Sequence, residues 1–132
     1  MGLIYVDSCL VIYLVERHPA WVFPLRRRLA EHADESFAIS PLVRLECLAG
    51  PLRDGDHLLV ETYRSAFAQF AEVPILPLAF DIAAGLRATH RIKTPDALHL
   101  ATARLAGCAR LWTNDSRLAA AAPGFAIGLG PT

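Results

Sequence analysis

Lysine is almost absent from this chain: Lys93 is the only one among thirteen basic side chains, and the other twelve are arginines. Thirteen acidic side chains cancel them to a formal net charge of zero, so the molecule as a whole exerts no long-range attraction on a polyanion. Any such binding has to be local. An arginine-dominated set suits planar, bidentate contacts to phosphate or carboxylate, although a bias in genome composition accounts for it equally well. Cysteine is scarce too: Cys9, Cys47 and Cys108 are odd in number, far apart and in no CxxC pair. Neither a disulfide framework nor a thiolate zinc site is indicated, and a reducing cytoplasm is the expected location. Long apolar runs are missing; the stretch from Cys9 to Val15 lies between Asp7 and Glu16 and is far too short to span a bilayer. The N-terminus lacks the basic start of a secretory signal, and Val6 stands where a myristoylation signal wants Ser or Thr. No membrane partner is expected. Repeats, low-complexity tracts and linker composition are absent as well.

What remains is a chain of 132 residues, 54% hydrophobic and 20% charged, long enough to bury a core without covalent staples. It reads as one domain over residues 1–132, with enough apolar surface that part of it is expected to meet a partner.

The pattern alternates short apolar runs with helical periodicity. Leu3 to Val6 reads as a buried strand ending at the cap-like pair Asp7-Ser8, followed by a helix from Cys9 to Arg17. Trp21 to His32 is amphipathic, with Val22, Leu25 and Leu29 on one side. A strand is expected at Phe37 to Ile39, and Ser40-Pro41 opens a helix to about Gly50, with Ser40 as cap and Pro41 in the first turn. A loop around Asp54 to Asp56 leads to a helix from His57 to Ala71. Val73 to Leu76 reads as a third strand weakened by Pro74, and Phe80 to His90 as a helix. Thr94-Pro95 repeats the cap-plus-proline start before a helix to Gly107. Arg110 to Trp112 is a strand, then come a short alanine-rich helix, a weak strand near Phe125 to Ile127, and a tail from Gly128 to Thr132. Such alternation argues for an α/β fold of three layers, with a central, mainly parallel sheet between helices.

In an open parallel sheet, ligands bind beyond the carboxyl ends of the strands. Four acids are expected at that edge. Asp7 ends the first strand, Asp115 ends the fourth, Asp96 opens a helix after its proline, and Glu46 sits about one and a half turns into the helix opened by Ser40-Pro41. Taken singly, each has an ordinary role: Asp7 and Asp115 as caps, Asp96 at a positive helix end, Glu46 on a solvated face. Together they repel unless a cation sits among them or their pKa values rise. Hard divalent cations such as Mg²⁺ and Mn²⁺ prefer oxygen ligands, and that combination points to phosphoryl chemistry without a Cys, His or Ser nucleophile.

The segments Ile4-Tyr5-Val6-Asp7-Ser8, Leu45-Glu46 with Gly50 four residues on, Thr94-Pro95-Asp96-Ala97-Leu98-His99-Leu100-Ala101-Thr102-Ala103, and Thr113-Asn114-Asp115 resemble, in order and spacing, the four acidic motifs of PIN domains. The third is nearly a consensus run for VapC toxins of VapBC toxin–antitoxin pairs. The resemblance spans essentially the whole chain. It implies a Mg²⁺- or Mn²⁺-dependent endoribonuclease acting on single-stranded RNA and leaving 5′-phosphate and 3′-hydroxyl ends. Asp7, Glu46, Asp96 and Asp115 would be the catalytic, metal-holding quartet, and Thr113 the hydroxyl that orients the fourth acid or a water. It also implies a homodimer and a VapB antitoxin lying across the site. Two positions depart from the pattern: Arg117 stands where some members have a further acid, and Cys9 stands where a polar side chain is common.

Other residues are expected to be peripheral. His99, three residues after Asp96, is read as packing or supporting rather than as a ligand. Asp81 and Glu16 are read as surface acids, Arg26-Arg27-Arg28 as a solvated face, and Cys9 and Cys47 as small buried hydrophobes. A response-regulator receiver shares the size and the acids, but it wants an acidic pair after the first strand and a lysine after a later one. Asp7 stands alone and Lys93 precedes a helix. A non-catalytic PIN-like RNA- or protein-binding module and a nuclease acting on DNA stay open.

Overall fold

A computed structural model describes residues 2–130. Five strands form one parallel sheet: β1 (Leu3–Val6), β2 (Ser36–Ile39), β3 (Ala71–Glu72), β4 (Arg110–Thr113) and β5 (Ala126–Gly128), in the order β3-β2-β1-β4-β5. Seven helices connect them among the described residues: α1 (Ser8–Val15), α2 (Val22–Glu31), α3 (Pro41–Arg53), α4 (His57–Phe67), α5 (Pro77–Thr89), α6 (Thr94–Leu105) and α7 (Ser116–Ala121). Helices α1 to α4 pack on one another, as do α5, α6 and α7, giving the three-layer α/β/α arrangement expected. None of the helices is long and apolar enough to cross a membrane.

Strand β1 is central and reads Ile-Tyr-Val, all three buried, as a strand covered on both faces must be. The chain leaves β1 towards β2 and returns on its other side as β4, so the strand order reverses beside β1. A crevice opens at such a reversal, beyond the carboxyl ends of the two strands. Here those ends are Val6 and Thr113.

Several boundaries differ from the sequence reading, each for a local reason. Helix α1 stops at Val15 because Arg17 takes a left-handed conformation (φ 55°) and the His18 amide closes on the Tyr13 carbonyl at 2.9 Å. Helix α3 passes Gly50 and runs to Arg53, with Pro51 buried inside its last turn. Helix α4 ends at Phe67 rather than Ala71, since Ala71 already pairs with Ala38 in β3. The third strand is therefore Ala71–Glu72, not Val73 to Leu76. Val73 still donates to the Ile39 carbonyl at 2.9 Å, and Pro74, which has no N–H, ends the ladder. Helix α5 then starts at Pro77, three residues earlier than its periodicity suggested, because proline suits a first turn. Gly128 and Leu129 are not tail: Gly128 ends β5, and Leu129 is buried and donates to the Thr113 carbonyl at 2.8 Å. Pro131 and Thr132 of the expected tail lie outside the described residues.

Candidate active site

Asp7 follows β1 immediately and its amide donates to the Trp112 carbonyl at 3.0 Å, so the first acid is tied across the crevice to β4. Its side chain, only 5% exposed, does not cap α1. Instead Oδ2 accepts the Thr113 hydroxyl at 2.6 Å and Oδ1 accepts the Ser8 hydroxyl at 3.3 Å. Thr113 Oγ1 in turn accepts the Asp115 amide at 3.0 Å. One buried hydroxyl thus fixes both the carboxylate of Asp7 and the backbone of Asp115.

Glu46, on the second turn of α3, reaches the same place. Its Oε1 accepts Ser8 Oγ at 3.1 Å and lies 2.6 Å from His99 Nε2. His99, 1% exposed on α6, also stands 3.7 Å from Asp7 Oδ1. Facing two carboxylates, Nε2 carries the proton and donates. The His99 Nδ1 lies 2.6 Å from the Tyr5 hydroxyl, which is itself 2.7 Å from Ser40 Oγ. Ser40, expected as the cap of α3, makes no cap bond and closes this chain instead. Burial drives the Glu46 carboxyl up, but the hydrogen bond and charge of His99, with the Ser8 hydroxyl, outweigh it and leave Glu46 below the ordinary carboxylate value.

Asp96 and Asp115 sit one step away and line a common pocket of ≈ 200 Å³. Asp115 caps α7, its Oδ1 accepting the Arg117 and Leu118 amides at 2.8 and 3.3 Å. Asp96 lies in the first turn of α6 and forms no salt bridge among the described residues. Burial first, then the charges of Asp7 and Asp115 with Glu46 adding, raise its carboxyl from 3.8 to about 6 against the opposing pull of His99. The repulsion expected among the acids thus adds to burial in raising Asp96.

The family description matching the sequence is the PIN domain, over residues 4–123. The chain belongs to the PIN domain family. Its fold is shared with a toxin–antitoxin complex from Klebsiella pneumoniae (23% identity, 97% of each chain covered, TM-score 0.74). It is similarly close to VapBC2 from Rickettsia felis bound to a promoter DNA fragment (16% identity, 96% of this chain and 98% of that one, TM-score 0.75). Mycobacterium tuberculosis VapC20, a sarcin–ricin-loop-cleaving toxin, also matches (18% identity, 89% and 94%, TM-score 0.69). No curated protein matches the sequence.

In this PIN domain the potential ligand atoms of Asp7, Glu46 and His99 lie within 4.8 Å of one another. His99 Nε2 is spent on Glu46, so within this group the carboxylate oxygens of Asp7 and Glu46 are the atoms that could meet a cation, while Asp96 and Asp115 lie outside it. A donor set of carboxylate oxygens with room for water fits Mg²⁺ or Mn²⁺ rather than a soft metal. The thiols offer no rival chemistry: burial and then Asp7 push Cys9 up to about 12, and burial does the same to Cys47, so both stay protonated at neutral pH. Glu16 and Asp81 are exposed, as expected, although Glu16 accepts the Tyr63 hydroxyl. The residues whose part in the site sequence reasoning passed over are Tyr5, Ser8 and Ser40; His99 was expected to pack or support, and it supports Glu46. The available signal was a histidine inside the apolar run Ala97 to Ala103: a buried imidazole needs a partner on each nitrogen.

Proposed function

We propose that this PIN domain is a VapC-like endoribonuclease that hydrolyses RNA phosphodiester bonds with the help of Mg²⁺ or Mn²⁺, and that a VapB-type antitoxin restrains it. The observation that carries the reading is the convergence of Asp7, Glu46, Asp96 and Asp115, from four separate segments, at one sheet edge where burial, and then the charges of Asp7 and Asp115, raise the Asp96 carboxyl to about 6. His99, even when protonated, offsets one charge of the four. A binding module gains nothing from such repulsion, whereas a divalent cation removes it. When bound, the cation supplies a water of lowered pKa and neutralises charge on the departing oxygen.

The chain's own residues set the geometry. Thr113 and Ser8 orient Asp7, Ser8 and His99 orient Glu46, and Thr113 holds the backbone of Asp115. Glu46, which the hydrogen bond and charge of His99 hold below the ordinary carboxylate value against burial, is the group proposed to help activate the attacking water. The fold-sharing VapBC complexes and the cleaving toxin VapC20 support the toxin reading by analogy of fold. A homodimer belongs to the same reading and is supported by exposed Leu45 and Leu52 on α3 and Leu78 and Phe80 on α5. A cytoplasmic setting suits the three free thiols.

The test is cleavage of a mixed RNA pool by the purified chain with Mg²⁺, with Mn²⁺ and with EDTA, mapping new 5′ ends beside Asp7→Asn. Metal-dependent cuts that vanish in Asp7→Asn are expected. Wild-type cleavage by a well-folded Asp7→Asn protein refutes the mechanism, and absence of cuts in every lane favours the non-catalytic module.

A further inference from the structure

The segment His90-Arg91-Ile92-Lys93 joins α5 to α6 and is held firmly for a loop. Ile92, 6% exposed, is buried in a small apolar cluster with Ala79, Ala83, Ala97, Leu98 and Ala101. Arg87 Nε donates to the Ile92 carbonyl at 3.2 Å. With Ile92 turned inward, Arg91 and Lys93 on either side of it are exposed. On the other side of the sequence gap, Arg117 is set in place by α7, its amide bonded to Asp115 Oδ1 at 2.8 Å.

These three cations line the ≈ 200 Å³ pocket that also holds Asp96 and Asp115. A second pocket of ≈ 390 Å³ shares Arg91, Ile92 and Arg117 with it and continues to His90, Ala120 and Ala121. None of the three cations is in a salt bridge among the described residues, although two carboxylates share their pocket. Their charge is therefore left for a ligand. A ligand is also what the site requires. The chain is neutral overall, and the acids by themselves repel a polyanion, so a phosphodiester needs positive charge fixed close by to approach them.

We infer that Arg91, Lys93 and Arg117 form a phosphate track that leads single-stranded RNA into the acid cluster, an inference that rests on the nuclease reading above. Two pockets sharing a wall of arginines give room for more than one nucleotide. Guanidinium groups can grip phosphate oxygens in pairs. The track also accounts for Arg117, which stands where some relatives were expected to carry another acid: here that place attracts the backbone instead of repelling it.

The experiment uses the full chain carrying Asp7→Asn, so that the probe is not cut, and a short fluorescein-labelled single-stranded RNA of mixed sequence. Affinity is measured by anisotropy across a salt series, in that background, for Arg91→Ala, Lys93→Ala, Arg117→Ala and the triple variant. For single strands the slope of log affinity against log salt changes by about 0.7 per phosphate contact. Each single variant is expected to flatten the slope by about that much and the triple by about 2. Arg91→Lys and Arg117→Lys, which keep the charge, should retain most of the slope. Arg27→Ala with Arg28→Ala, in a separate pocket beside Pro24 and Glu31, should leave it unchanged. All these side chains are exposed, so folding is preserved and is checked by circular dichroism. A triple variant that binds with wild-type slope and affinity overturns the track and leaves the nuclease reading standing. Binding that depends on the three cations, in a chain whose wild type cuts nothing, keeps the track and sinks the nuclease.

Discussion

Replacing Asp96 with asparagine should make the metal-free protein more stable while abolishing cleavage. The carboxyl is raised from 3.8 to about 6 in the folded chain, roughly 2 units, and at about 1.36 kcal/mol per unit the unscreened cost of ionising it is near 3 kcal/mol. Solvent reaches this half-buried group and screens part of that. The asparagine also forfeits the favourable position of a negative charge in the first turn of α6, worth about 0.3–1 kcal/mol. A net gain of roughly 1 kcal/mol is expected at neutral pH without metal, or about 3–4 °C in Tm for a domain of this size. The folded chain binds this proton more tightly than the unfolded chain. Its contribution is therefore fully present below about pH 4 and is lost as pH rises through about 6. The advantage of Asp96→Asn should accordingly be absent in acid and complete above about pH 6. Thermal melts in EDTA at both ends of that window measure it. Added Mg²⁺ should then stabilise wild type more than the variant, shrinking the difference. A variant no more stable than wild type at neutral pH, or more stable by the same margin in acid, refutes the electrostatic account.

Thr113→Val removes the hydroxyl that serves Asp7 and the Asp115 amide, and should cost about 1.5–3 kcal/mol in urea unfolding and lower kcat more than it changes KM. Thr113→Ser should recover most of both. His99→Ala should destabilise by about 2–4 kcal/mol, because it opens a cavity and strands Tyr5 and Glu46. It should also move the Glu46 carboxyl upward in an NMR titration, since His99 supplies the leading forces that lower it; an unmoved Glu46 argues against the assigned pairing.

The acids and the hydroxyl partner were legible because each stands at a strand end or in the first turns of a helix, where local pattern alone fixes position along the edge. The family resemblance added the order of the motifs. Strand β3 was misplaced by a few residues because an apolar run, Val73 to Leu76, outweighed the exposed pair Ala71-Glu72 that makes the bridge. Pairing there is decided by the partner strand and by the missing amide of Pro74, neither visible in a hydrophobicity pattern. The helix caps failed for a related reason. Ser40 and Asp7 look like caps in sequence, but tertiary partners, Tyr5 for one and Thr113 for the other, claim their side chains. The Glu46–His99–Tyr5–Ser40 chain joins residues 35 to 94 positions apart, and no local signal specifies such contacts.

The placement of β1 bears on the order of events during synthesis. It is made before the other four strands, yet β4 supplies its second neighbour only at Arg110–Thr113. Until then the chain lacks the Trp112 carbonyl that holds Asp7, the Thr113 hydroxyl and Asp115 itself. A nascent chain can thus complete β1–β2 pairing and pack α1 to α4 while its acidic edge stays unassembled.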